Sequence, residues 1–197
     1  MRRRFSLFLL TCTLAAALSG CASVSTRPGT AIPTDLTELA HWEARGRLGV
    51  SGAERGGSGS FAWAQNKDRA DVQIRGPVGI GGVHLQMSGS ASQPELRLET
   101  SDGQVFHSGT AWAELEARLG ASLPAGRLRY WMLGVPAPGA HEWITPPDGE
   151  TATLEQDGWR IEYRYSDASG TRLPIRIRAA SGAARVRIVV DRWQLGR

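Results

Sequence analysis

Cysteine is almost missing from this chain: two occur in 197 residues, Cys12 and Cys21, and Cys12 lies in a leader expected to be removed. No disulfide can then form, so the fold must stand on packing even at an oxidising, exported location. Catalytic constellations are missing as well. The four histidines, His41, His84, His107 and His141, are scattered with no HExxH and no close pair, which leaves zinc without a ligand set. There is no GxSxG elbow, since Ser58 and Ser60 lie among glycines in a turn between strands. Glu95 and Glu99 alternate onto the exposed face of a strand, which suits solvated surface better than a glycosidase dyad. The glycines between Arg75 and Val83 lack dinucleotide-binding spacing, and the sequence after them continues as strand where such a fingerprint needs a helix. An enzyme is not expected, nor is a cofactor or a bound metal.

Long apolar runs are equally scarce. The one present, Phe5 to Leu18, follows Arg2, Arg3 and Arg4, precedes small residues, and is too short to span a membrane once its flanks are counted. Residues 1–20 therefore read as a secretory signal. Leu18-Ser19-Gly20-Cys21 resembles the bacterial lipobox, which implies cleavage before Cys21 and lipidation of its sulfur. Loss of the leader removes three of the 23 basic residues and leaves 20 against 19 acidic ones, a formal charge of +1 in place of +4. Nucleic acid is not an expected partner at that balance. Ala22, and not Asp, follows the cysteine; by resemblance to the sorting rule of enteric bacteria this implies delivery to the outer membrane. Residues 21–33, with Ser, Thr, Pro and Gly and no period, read as a lipidated tether, and 34–197 as a single domain.

What fills that domain is alternation. Thr34 to Trp42 is expected as a short helix capped by Thr34 or Asp35, after which strands begin. Ala44, Leu48 and Val50 oppose Glu43, Arg45 and Arg47; a Gly-rich turn from Gly52 to Gly59 follows, then Phe61 and Trp63 on one face of a second strand. Val72 and Ile74, then Val83, Leu85 and Met87, mark two more. Their joining loop carries apolar Pro77, Val78 and Ile80 where a turn is usually polar, so it either folds back onto the domain or presents an apolar tip to a membrane or a partner. Leu96 and Leu98 lead through Asp102-Gly103 to Val105 and Phe106. After the helices, Ile161, Tyr163 and Tyr165, then Ile175 and Ile177, then Val186, Ile188 and Val190 alternate with charged residues. Ten or so amphipathic strands imply an antiparallel sheet that curls into a barrel or part of one, with one apolar face to be covered.

Two helices sit between these runs of strands. Thr110 caps the first, with Trp112, Leu115 and Leu119 on one face and Gly120 closing it. The second lies within Leu123–Pro138: Pro124 suits a first helical position, Gly134 a C-terminal cap, and Pro136 and Pro138 forbid continuation. Leu128, Trp131, Met132 and Val135 fall on one face, with Arg127 and Arg129 off it. That face either caps an ordinary core or lines a space for an apolar ligand. The topology makes the helical pair a lid.

The lipobox, Ala44-Arg45-Gly46-Arg47, Phe61-Ala62-Trp63, Gly76-Pro77-Val78-Gly79, the run from Leu128 to Pro136 and the closing Val190-Asp191-Arg192-Trp193 together resemble the outer-membrane lipoprotein receptor family LolB, in order and over essentially all of the mature chain. The resemblance implies a monomeric half-barrel with a helical lid over an apolar cavity. It also implies a function: taking acylated lipoproteins from the periplasmic carrier LolA and placing them in the inner leaflet of the outer membrane. On that basis Phe61, Trp63, Val83, Leu85, Trp112, Leu115, Leu128, Trp131 and Met132 are expected to line or cover the cavity. Pro77, Val78, Gly79 and Ile80 are expected to form a membrane-inserting tip, and Cys21 the anchor. Family members often carry leucine at the tip, where this chain has the smaller Val78.

A carrier is needed because each exposed methylene costs about 0.8 kcal/mol, so one long acyl chain in water costs on the order of 10 kcal/mol. The alternative class is an assembly lipoprotein, a tethered scaffold with a filled core that binds an envelope protein and no lipid. An open apolar cleft beneath the helices favours transport; a filled interior favours the scaffold.

Overall fold

The computed structural model describes residues 35–52, 56–76, 82–90, 93–119, 124–144, 151–165 and 173–196. The first six strands run in sequence order: β1 (His41–Ser51), β2 (Gly56–Asn66), β3 (Arg69–Arg75), β4 (Val83–Ser90), β5 (Gln93–Thr100) and β6 (Val105–His107). The chain then leaves the sheet through helix α1 (Ser108–Leu119), a 3-10 turn (Ala125–Arg127) and helix α2 (Leu128–Leu133). It returns as β7 (Glu142–Ile144), β8 (Thr151–Gln156), β9 (Trp159–Tyr165), β10 (Pro174–Ser181) and β11 (Ala184–Leu195).

These strands form one antiparallel sheet of 11 strands in the order β6-β5-β4-β3-β2-β1-β11-β10-β9-β8-β7. Every neighbour is a neighbour in sequence except β1 and β11, whose pairing from Trp42↔Leu195 to Ser51↔Arg185 joins the two halves at the centre. The sheet stays open, with β6 and β7 at its edges. Because α1 and α2 connect those two edge strands, the helical segment must cross from one rim to the other. It does so over the apolar face, giving the open half-barrel with a helical lid that the resemblance implies.

Close backbone approach marks the central seam. A bulge between Arg45 and Gly46 shifts the β1–β11 register, and a Cβ on Gly46 would stand 2.0 Å from the Val189 carbonyl oxygen, so only glycine fits there. Two-residue turns join β2 to β3, β8 to β9 and β10 to β11. Asp157 and Gly158 both adopt positive φ, 51° and 75°, the geometry whose twist matches a hairpin between β8 and β9.

Three boundaries differ from those read in the sequence. Thr34–Trp42 is not a helix of two turns: Asp35 caps a single 3-10 turn, Leu36–Glu38, by accepting from the Thr37 N–H, and Trp42 already belongs to β1. Trp42 stacks on Trp63 at 5.5 Å, and this packing outweighs the local helical pattern. Part of the glycine run expected as turn is strand, since β2 begins at Gly56 and pairs with Ser51. The first helix starts at Ser108, two residues before Thr110, whose hydroxyl donates to the His107 carbonyl at 2.7 Å.

Candidate functional site

The second helix carries the densest apolar sequence in the described lid. The Arg127 N–H bonds to the Pro124 carbonyl, which starts the turn, and Gly134 ends the helix with φ 73°. Trp131, Met132 and Leu133 are buried beneath it, while Leu128 is half-buried. From α1, Ala111 and Leu115 are buried and Trp112 is half-buried. Opposite stand the inward residues of β1 to β4 and β9 to β11.

Between lid and sheet lies a cavity of about 110 Å³ whose lining is wholly apolar. Phe61, Trp63, Leu85, Trp112, Leu115, Leu128, Trp131 and Met132 all line it. Val83 does not. It faces the same way as Leu85 and packs against the core, but at the first position of β4 it stands beyond the cavity wall. Val135 is also outside the lining, because the chain has turned at Gly134 before reaching it. The sequence reading left out the far wall, where Trp159, Ile161, Ile177, Ala179, Val186 and Ile188 close the space. Their alternation showed an apolar face; only the β1–β11 pairing brings that face opposite Phe61 and Trp63. Cys21, Pro77, Val78, Gly79 and Ile80 lie outside the described residues.

Tryptophan lines an apolar space only if its N–H is satisfied elsewhere. The Trp63 indole donates to Gln65 Oε1 at 2.9 Å, and Gln65 in turn donates to the Lys67 carbonyl at 2.8 Å. The Trp131 indole donates to Gln156 Oε1 at 3.0 Å, an oxygen that also accepts the Ala137 N–H, while the Gln156 amide donates back to the Ala137 carbonyl at 2.7 Å. Both glutamines are buried. They take the polar ends of the two indoles and leave ring surface to the cavity.

The Trp131–Gln156 bond also fastens α2 to the sheet, and the arginines before and within the helix add to it on two sides. Arg127 pairs with Asp157 at 2.7 Å and donates to the Pro138 carbonyl; Arg129 donates to the Lys67 carbonyl at 3.2 Å and covers the Tyr130 ring at 4.6 Å. By contrast α1 rests on β5 and β6. At the sheet end that carries the β1–β2, β3–β4 and β10–β11 turns, the apolar residues Leu48, Ile74, Val83, Val186 and Ile188 remain half-buried.

The volume is about that of four water molecules at ~30 Å³ each, and small-molecule pockets usually span ~300–1,000 Å³. Nothing polar lines the space to orient a reacting group, and among the described residues no cluster of three or more His, Cys, Asp or Glu could hold a metal ion. No described helix is long and apolar enough to cross a membrane.

The family model described as outer membrane lipoprotein LolB matches residues 40–193. An outer-membrane lipoprotein LolB from Ectopseudomonas mendocina is 31% identical over 94% of this chain and 95% of its own length. The LolB of Pseudomonas aeruginosa is 33% identical over 97% of each. A solved DUF1329 family protein from Desulfovibrio piger, 10% identical, aligns over 81% of this chain and 87% of its own with a TM-score of 0.48. By the family match and these identities over nearly its whole length, the chain belongs to the outer-membrane lipoprotein LolB family.

Proposed function

We propose that this protein is the outer-membrane acceptor that takes acylated lipoproteins from LolA, holds their acyl chains between lid and sheet, and releases them into the inner leaflet. A role in lipoprotein localisation and a lipid-anchored outer-membrane location follow from the family. The observation that carries the finer reading is the unbroken apolar lining beneath α1 and α2. An acyl chain asks for no hydrogen bond and no fixed shape, and a wall of Trp, Met, Leu, Ile and Val offers neither. Cargo needs no nucleotide if it runs downhill from a weaker cavity to a better one and then to bilayer, because relative affinity alone sets direction.

The lid supplies the gate. Its resting volume holds a fragment of a chain, so entry displaces α1 from β5 and β6 while Gln156 and Arg127 keep α2 attached. Val78, with Ile80 beside it, enters the bilayer at the delivery step, and Cys21 holds the domain there as an acylated monomer. The small resting cavity is also the one feature that favours the scaffold reading, in which the apolar space is a packing defect of a filled core. Incubation with LolA loaded with an acylated lipoprotein separates the two: the acceptor strips the cargo from LolA, whereas a scaffold leaves it there.

A further inference from the structure

The outer face of the sheet is charged unevenly. On the β3–β5 half, acids and bases are paired, His84 Nε2 with Asp71 across β4 and β3 at 2.8 Å and Arg97 with Glu99 along β5 at 2.9 Å. On the β9–β11 half, arginine faces arginine. Arg178 pairs directly with Arg187, and Arg176 with Arg164, while Arg185 stands opposite Ala180. All five are exposed. Across from Arg187 and Arg185 on β1 are Gly49 and Ser51, which offer no carboxylate. Two acids stand on this half: Glu162 lies opposite Arg178 and 3.9 Å from Arg160, which also pairs with Glu155, and Asp191, further along β11, is taken up by Arg47 of β1 at 3.1 Å, so neither faces Arg185 or Arg187. Arg185 donates to the carbonyls of Gly182 and Ala184 at 2.6 and 2.8 Å.

Like charges directly opposed across strands destabilise a sheet, so a ladder of this kind costs the isolated domain stability. An anionic surface offsets that cost. Arg160, Arg178, Arg185 and Arg187, with Glu162, edge a groove of about 600 Å³, and Gly49 puts no side chain between an anion and the strand beneath it. The groove lies at the sheet end carrying the β10–β11 and β3–β4 turns. From this placement we infer that the outer face of β9–β11 docks on anionic phospholipid headgroups of the outer membrane. Arginine suits the task because its planar fork binds phosphate oxygens in pairs. The inference rests on the membrane location, not on cargo binding, so it can fail while the acceptor function stands.

The test uses the mature, acylated protein reconstituted into phosphatidylcholine vesicles with or without phosphatidylglycerol. Energy transfer from the protein's tryptophans to dansyl-labelled headgroups reports how closely the domain lies on the membrane. Phosphatidylglycerol should raise the transfer at low ionic strength, high salt should remove the gain, and the doubly substituted Arg178→Glu/Arg187→Glu should weaken docking on the order of tenfold. Arg187→Glu alone should lower docking yet raise Tm, because it puts opposite charges across the Arg178 pair; a merely structural role cannot move the two readouts in opposite directions. Transfer that ignores phosphatidylglycerol, or a double variant that docks like the parent, overturns the inference. So does a double variant that docks normally but no longer takes cargo from the soluble carrier, which would assign the ladder to a protein partner.

Discussion

The indole N–H of Trp131 donates to Oε1 of Gln156 at 3.0 Å, and this bond ties the lid to the turn between β8 and β9. Gln156 is a buried polar side chain whose amide also brackets Ala137 through its N–H and carbonyl, so one residue satisfies three groups that water cannot reach. Gln156→Leu leaves all three unpaired and should destabilise the domain by about 3 kcal/mol in urea unfolding. A loss under about 0.5 kcal/mol would show that the lid is held by its apolar face alone.

Ala179 lines the far wall of the cavity. Ala179→Leu fills part of the space, so stability should rise by about 1 kcal/mol while uptake of acylated cargo falls. Urea unfolding and cargo transfer from LolA read the two effects separately. Raised stability with unchanged uptake would place the acyl chains elsewhere.

Tyr163 is buried with no hydrogen-bond partner for its hydroxyl among the described residues, and it stacks on Trp143 at 5.7 Å. Burial, and secondarily the neighbouring Tyr165, pushes its ionisation well above the ordinary value of 10.0. A raised folded-state pKa means that this contribution to stability is complete below the unfolded pKa and is lost as pH climbs through the folded one. Tyr163→Phe should therefore gain about 1 kcal/mol at neutral pH and lose less stability than the parent above about pH 10. Parallel urea titrations at neutral and alkaline pH check both signs.

Val78 belongs to the proposed membrane-inserting tip. Val78→Glu puts a charge where the bilayer's hydrocarbon would be, at a cost of about 2–3 kcal/mol. Acceptance from LolA should stay near the parent level and delivery to liposomes should drop roughly tenfold or more. Delivery at the parent rate removes the tip from the mechanism.

Much of this architecture is legible along the chain because each strand has one wet face and one dry one. Phe61 and Trp63 or Ile161 and Tyr163 declare a side of the sheet by spacing alone, and Pro124, Gly134 and Pro136 bound the second helix through backbone chemistry. The pairing of β1 with β11 is not local. Its cause is the close approach at Gly46 and the packing of Trp42 against Trp63 and Trp193, contacts between residues far apart in sequence. Without that seam, Trp159, Ile177 and Ala179 read as one more apolar strand face and not as the wall opposite Phe61. The Gln65 and Gln156 anchors are hidden for the same reason, since a glutamine beside a turn looks like surface until an indole is brought to it.

The central claim is that acyl chains occupy the space between α1, α2 and the sheet. A lipoprotein whose acyl chain ends in a photoreactive diazirine, loaded from LolA and irradiated, addresses it most directly. Occupancy of the cavity predicts adducts on Trp131, Met132, Ile161 and Ile177 from both walls, and their loss when the cavity is filled by Ala179→Leu. Adducts confined to residues of the outer face, such as Arg97 or Arg176, would contradict it.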